Sequence, residues 1–216
     1  MNNKILALAA FIAAGYLVPT VSNAALVLDT GTPAANATAV ALDSNDFYAA
    51  EFSLTGGSTV TAIQAYLTNS FFADSPGDTF TLSIYQDNNG KFLGNRSAAA
   101  VFSTQGTYTA DGWNGASGLS WTASTTGNYW AAIEINPPSD TAVQLGLLTP
   151  TTGGTAAALA FAFNDGSGNG YSSANALPFA IQVSATAPVP LPAGLWLLGS
   201  GLTAMAAAAR RRRPAI

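Results

Sequence analysis

The chain of 216 residues has no cysteine and no histidine, which excludes disulfides, thiolate nucleophiles, zinc–thiolate sites, Ser-His-Asp catalysis and imidazole-bound metals. Charged residues make up only 8% of it, against about 25% in an ordinary soluble domain. All eleven acids lie from Asp29 to Asp165, where Lys91 and Arg96 are the only bases. The resulting net charge of −9 in that stretch repels nucleic-acid phosphates and anionic lipid heads, so nucleic acid is excluded as a partner.

The N-terminus reads Met1-Asn-Asn-Lys4, continues as an apolar run from Ile5 to Val18 and breaks at Pro19. Ser22 and Ala24 place small residues before a cut between Ala24 and Ala25. This is the layout of a secretory signal peptide over 1–24. An ectodomain is expected over 25–187.

Within it, period-two patterns predict half-buried strands. A weaker one covers Phe47 to Leu54. Thr61 to Thr68 places Ile63, Ala65 and Leu67 on one face. Thr79 to Gln86 places Phe80, Leu82 and Ile84 on one face, with Thr81, Ser83 and Tyr85 on the other. Asp87-Asn88-Asn89-Gly90 then reads as a hairpin turn into Lys91-Phe92-Leu93. Ala99 to Ser103 and Leu119 to Ala123 are further weak candidates. Tyr129 to Ile135 aligns Tyr129, Ala131, Ile133 and Ile135. Ala142 to Leu148 aligns Val143, Leu145 and Leu147. Ala157 to Phe163 is weak, and Pro178 to Ser184 aligns Phe179, Ile181 and Val183. About nine or ten short strands, punctuated by Gly56-Gly57, Ser75-Pro76-Gly77-Asp78, Asn136-Pro137-Pro138 and Gly153-Gly154, predict an all-β fold. The expected form is an antiparallel two-sheet sandwich, jelly-roll-like. No repeat of fixed period is present.

The tail reads Pro188-Val189-Pro190-Leu191-Pro192-Ala193, then an apolar stretch, then Arg210, Arg211, Arg212 and Arg213. Leu191 to Ala209 is nineteen residues without charge, close to the roughly 20 needed to cross a bilayer. One transmembrane helix is expected over 191–209. The arginines should hold its end in the cytoplasm and leave the domain outside.

The order of Val189-Pro-Leu-Pro-Ala193, apolar span and arginine cluster resembles the VPLPA variant of the PEP-CTERM sorting signal. These tails occur on secreted proteins of Gram-negative bacteria that make exopolysaccharide. The resemblance implies that exosortase, a multipass transpeptidase-like membrane enzyme, recognises Val189, Pro190, Leu191, Pro192 and Ala193 and removes the segment that follows. The precursor would sit in the inner membrane with its domain outside the cytoplasm. The domain would then reach the cell surface or extracellular (biofilm) matrix. Leu191 stands where the Pro-Glu-Pro form has its acid, which points to the variant's own exosortase subtype. The runs "FTLSIYQDNNGKFLGN" (80–95) and "LSWTASTTGNYWAAIEI" (119–135) more loosely resemble the exported choice-of-anchor β-sandwich domains, most of which carry no assigned activity.

Chemistry is sparse. A carboxylate-pair glycosidase is the one common enzyme class that survives the missing histidine and cysteine. Its only glutamates would be Glu51 and Glu134, both read as solvated strand residues on faces away from the apolar ones. No catalytic, cofactor or metal residues are therefore assigned. Asn164 to Gly170 and Asp87 to Asn89 offer oxygens of the kind calcium takes, but no EF-hand pattern. Trp113, in the apparent loop Asp111-Gly112-Trp113-Asn114-Gly115, is the candidate for stacking on sugars, with Phe71 and Phe72 also in a turn-rich stretch. The expected role is an exported structural or interaction protein without catalysis. The alternative is a carbohydrate-binding module for exopolysaccharide.

Overall fold

Strand formation follows the alternation of β-branched and aromatic residues with small polar ones. The computed structural model describes residues 23–69, 74–87, 100–165, 171, 177–188 and 200–203. Eleven strands run in order: β1 (Ala24–Asp29), β2 (Ala39–Asp43), β3 (Asp46–Leu54), β4 (Thr59–Thr68), β5 (Thr79–Gln86), β6 (Phe102–Thr107), β7 (Gly112–Thr122), β8 (Gly127–Glu134), β9 (Gln144–Leu148), β10 (Phe161–Asp165) and β11 (Ile181–Thr186). All lie within Asn23–Pro188.

Every pairing is antiparallel, along the path β1-β11-β4-β7-β6-β5-β8-β3-β10, with β9 joining β4 to β2. The path is one curled sheet whose two halves face each other as the walls of a sandwich. The walls are joined by a single register pair, Thr107 with Gly115, between β6 and β7. The first wall is β1-β11-β4-β7 with β9 and β2; the second is β6-β5-β8-β3-β10.

The core lies between the walls. Ile63, Ala65 and Leu67 of β4 and Ile181 and Val183 of β11 meet Phe80, Leu82 and Ile84 of β5 and Tyr129 and Ile133 of β8. Each fully buried side chain of this size contributes about 1.5–3 kcal/mol relative to exposure. The faces expected for β4, β5, β8 and β11 are the faces observed. Val143 departs from its expected face: it is 71% exposed. Its strand begins at Gln144, two residues later than the expected Ala142, because Asp74 captures the Val143 amide at 2.7 Å and the Gln144 amide at 2.8 Å.

A second, smaller core lies on the outward face of the second wall. It comprises Phe47 and Ala49 of β3, Tyr85 of β5, Trp130 and Ala132 of β8, Ala162 of β10 and Tyr171. This sheet is therefore apolar on both faces over β3 and β8. The expected hairpin beyond Asp87 lies outside the described residues. So does most of the span expected over 191–209, where 200–203 are helical. No helix among the described residues is long and apolar enough to cross a membrane.

Candidate functional site

Alternation along β4 puts Tyr66 on the outward face of the first wall, opposite the core residues Ala65 and Leu67. The register sets Tyr66 directly across from Trp113 on β7. Their rings meet edge to face with centroids 5.4 Å apart, a favoured aromatic geometry. Trp113 is thus a half-buried strand residue, and its expected place on a free loop is corrected. Its strand is longer than the sequence showed, because the glycines at 112, 115 and 118 mimic a loop in composition.

Tyr66 lines a cleft of about 570 Å³ together with Thr68, Asp111, Leu148 and the turn 33–37. This is within the roughly 300–1,000 Å³ typical of small-molecule sites. The turn follows β1, is held by the Ala37 amide donating to the Ala34 carbonyl at 3.0 Å, and supplies Pro33, Ala34, Ala35, Asn36 and Ala37.

Asp111 forms a fixed polar wall. It accepts from the Thr68 hydroxyl at 2.9 Å, the Asn69 amide at 2.8 Å and the Tyr108 hydroxyl at 2.7 Å. Burial, the hydrogen bond to Asp111 and its charge push the Tyr108 phenol up to about 12. Tyr108 thus stays a neutral donor across the physiological range. The loop that carries Asp111 is braced by Asn114, whose carboxamide accepts from Thr109 N at 2.8 Å and donates to the Ala110 and Gly112 carbonyls, each at 2.8 Å.

No family model matches the sequence, and no curated protein does. Among solved structures, the chain is similar to the cysteine protease and lectin-like domains of Cwp84, a surface layer associated protein of Clostridium difficile. The identity is 13% and the TM-score 0.46, over 67% of this chain and 32% of that one. The chain thus spans about a third of that structure's length.

The two glutamates correct their expected solvated state. Both face outward from the second wall, as the alternation required. That face is covered, leaving Glu51 7% and Glu134 2% exposed. Glu134 Oε1 accepts the Tyr85 hydroxyl at 2.8 Å and the Tyr171 hydroxyl at 2.7 Å. Its Oε2 accepts Ser83 Oγ at 3.3 Å and Asn136 Nδ2 at 3.2 Å. Glu51 Oε1 accepts Asn128 Nδ2 at 3.0 Å. Burial pushes its carboxyl above the usual carboxylate range; the Asn128 amide opposes that shift, and the charge of Asp87 adds to it.

The calcium candidates fare unevenly. Asp87 Oδ1 accepts Trp130 Nε1 at 3.0 Å, and Asn164 is buried in β10. Residues 88–89 and 166–170 lie outside the described residues. No cluster of three or more acids that could hold a metal is found among the described ones. Ala24 and Ala25 open β1, where Ala24 pairs with Thr186. Phe71, Phe72, the sorting motif Val189 to Ala193 and Arg210 to Arg213 lie outside the described residues.

The sequence reading missed Tyr66 as a site residue. Its signal was present: it is the one aromatic on the face of β4 opposite the residues identified as core.

Proposed function

We propose that the chain is an exported surface or matrix protein, sorted by an exosortase-type membrane transpeptidase, whose sandwich binds carbohydrate and performs no catalysis. The observation that carries the binding reading is the cleft: an aromatic ring, Tyr66, beside a braced carboxylate and a carboxamide. A sugar ring offers apolar C–H faces and a rim of hydroxyls, and such a site complements both. Support for the non-catalytic part comes from the glutamates, each buried and hydrogen-bonded to neighbouring side chains. The sorting part rests on the order of proline motif, apolar span and arginine cluster.

A glycan array probed with the full chain tests the binding reading. Binding that Tyr66→Ala abolishes is the expected result. Binding to no glycan would leave the second reading, a structural matrix protein. That reading is favoured by the closed outward face of the second wall, which Tyr171 covers. Intact mass of the protein from its host's surface fraction tests sorting. The expected chain starts near Ala25 and ends between Val189 and Ala193. A mass that retains the span and arginines would remove exosortase from the account. Replacing Pro190 and Pro192 by Ala should leave a full-length, membrane-held chain.

A further inference from the structure

We propose that Asn36 is the acceptor of an N-linked glycan, and that the cleft beside it seats the first sugars of that glycan. This rests on the readings of the chain as exported and of the cleft as a glycan site, and it names a source for the glycan: the chain itself. Asn36-Ala37-Thr38 matches Asn-x-Ser/Thr with x other than proline, the acceptor pattern on surface loops of exported proteins. The other such triplet, Asn95-Arg96-Ser97, lies outside the described residues.

The fold leaves the first triplet open to a transferase. Asn36 and Thr38 are exposed, between β1 and β2. The Ala37 amide closes the turn onto the Ala34 carbonyl, and the Thr38 carbonyl accepts the Thr149 amide at 3.0 Å. These bonds engage the backbone. Among the described residues, neither the Asn36 carboxamide nor the Thr38 hydroxyl has a hydrogen-bond partner. Asn36 also lines the cleft, with Pro33, Tyr66 and Leu148. A sugar joined to Asn36 Nδ2 therefore starts at the cleft, where the Tyr66 ring offers a face to its C–H groups. The volume of about 570 Å³ admits about one or two rings. The covalent tether makes their encounter with Tyr66 intramolecular, so a weak contact suffices to seat them.

The donor class is a sugar carried on a polyprenyl pyrophosphate. Asn36 Nδ2 forms the new bond to the anomeric carbon. The bond from that carbon to the pyrophosphate oxygen breaks, and the polyprenyl pyrophosphate leaves with the electron pair. One amide proton passes to a base of the transferase.

The test is the intact and fragment mass of the full chain expressed in its host and recovered from the surface fraction. A sugar increment on the fragment that holds Asn36 is expected, lost in Asn36→Gln and Thr38→Val and kept in Thr38→Ser. A chain that starts at Ala25 without the increment would overturn the modification and leave export standing. A chain that still starts at Met1 without it would overturn both. An increment lost only in Asn95→Gln would overturn the site. Seating is read separately. The modified chain should melt at least about 2 °C above Asn36→Gln, and Tyr66→Ala should erase that gap while keeping the increment. A gap indifferent to Tyr66 would overturn the seat. Chain made by membrane-free synthesis has an open cleft and should bind an array of β-glucan, α-glucan, mannan and N-acetylglucosamine oligomers at least about tenfold more tightly than the modified chain. An unmodified chain that binds none of them would overturn the glycan reading of the cleft, whatever the mass shows.

Discussion

Tyr171 donates its hydroxyl hydrogen to Glu134 Oε1 at 2.7 Å, on the outward face of the second wall. The same oxygen takes the Tyr85 hydroxyl at 2.8 Å, and the three groups are buried together. A buried carboxylate costs several kcal/mol unless its oxygens are satisfied. Here four side-chain donors satisfy them. The Tyr171 side chain is thereby tied to the sheet, and its ring lies 6.4 Å from that of Phe47 and 6.3 Å from that of Tyr85.

Removing either hydroxyl should be costly. Tyr171→Phe and Tyr85→Phe are each expected to lower unfolding free energy by about 1.5–3 kcal/mol, the range for hydrogen bonds to charged groups. The double variant should depart from additivity, since both donors serve one oxygen. Urea denaturation of the four proteins measures this. Additive losses below about 0.5 kcal/mol would show that the carboxylate does not depend on these donors.

This cluster also marks where the sequence could be read and where it could not. Phe80, Leu82 and Ile84 announce their face because Thr81 and Ser83 separate them. The second wall's outward face gives a mixed signal, since Ala49, Trp130 and Ala132 share it with Glu51 and Glu134. Alternation says which residues share a face but not whether that face meets water. Among the described residues, Tyr171, distant in sequence, and Ala100 and Ala160 pack on that face. β1 was missed because it starts at Ala24, the last residue of the expected signal peptide, and runs across the expected cut. The cleft was invisible because its parts come from 33–37, Tyr66, Thr68, Asp111 and Leu148, which only the sheet topology brings together.

Glu51 should make stability rise as the solution is acidified. Its folded pKa is raised by burial, so the folded state binds the proton more tightly than the unfolded chain. That gain is complete below the ordinary value of 4.5 and is lost as pH rises through the elevated folded value. Glu51→Gln keeps an oxygen for Asn128 and cannot ionise. It should be more stable than the parent at pH 7, with the difference vanishing below pH 4.5. Parallel denaturation curves at the two pH values check this.

Asp29 should act with the opposite sign. Burial raises its carboxyl, but donors outweigh that: the Thr155 amide at 2.8 Å, Gln182 Nε2 at 3.1 Å, the Thr155 hydroxyl at 2.9 Å and the Gly31 amide at 3.1 Å. The folded pKa is held below the ordinary 3.8. The stabilisation is therefore present above 3.8 and is lost as pH falls from there through the depressed value. Asp29→Asn turns an NH₂ group toward donors and should cost about 1–3 kcal/mol at pH 7. Its stability curve should converge with the parent's in acid. Curves that stay parallel down to pH 2 would mean that Asp29 ionisation does not matter.

Asp29 also stands at a backbone contact that tolerates no side chain, a few residues before the turn 33–37 that lines the cleft. A Cβ on Gly154 would stand 1.9 Å from the Asp29 carbonyl oxygen. One on Gly31, at φ +104°, would stand 1.7 Å from the Thr152 carbonyl oxygen. Backbone atoms cannot rotate aside, so Gly154→Ala and Gly31→Ala should each cost about 1–3 kcal/mol or more. Gly153 has nothing within 4 Å of the same position, and Gly153→Ala should fall within about 0.5 kcal/mol of the parent. The turn 33–37 leaves the sheet just after Gly31, so Gly154→Ala should also displace one wall of the cleft. Where the variant remains folded, it should weaken glycan binding while Gly153→Ala leaves it unchanged. Thermal denaturation and titration of the pair measure both effects. Equal binding by the two variants would separate the turn from the site.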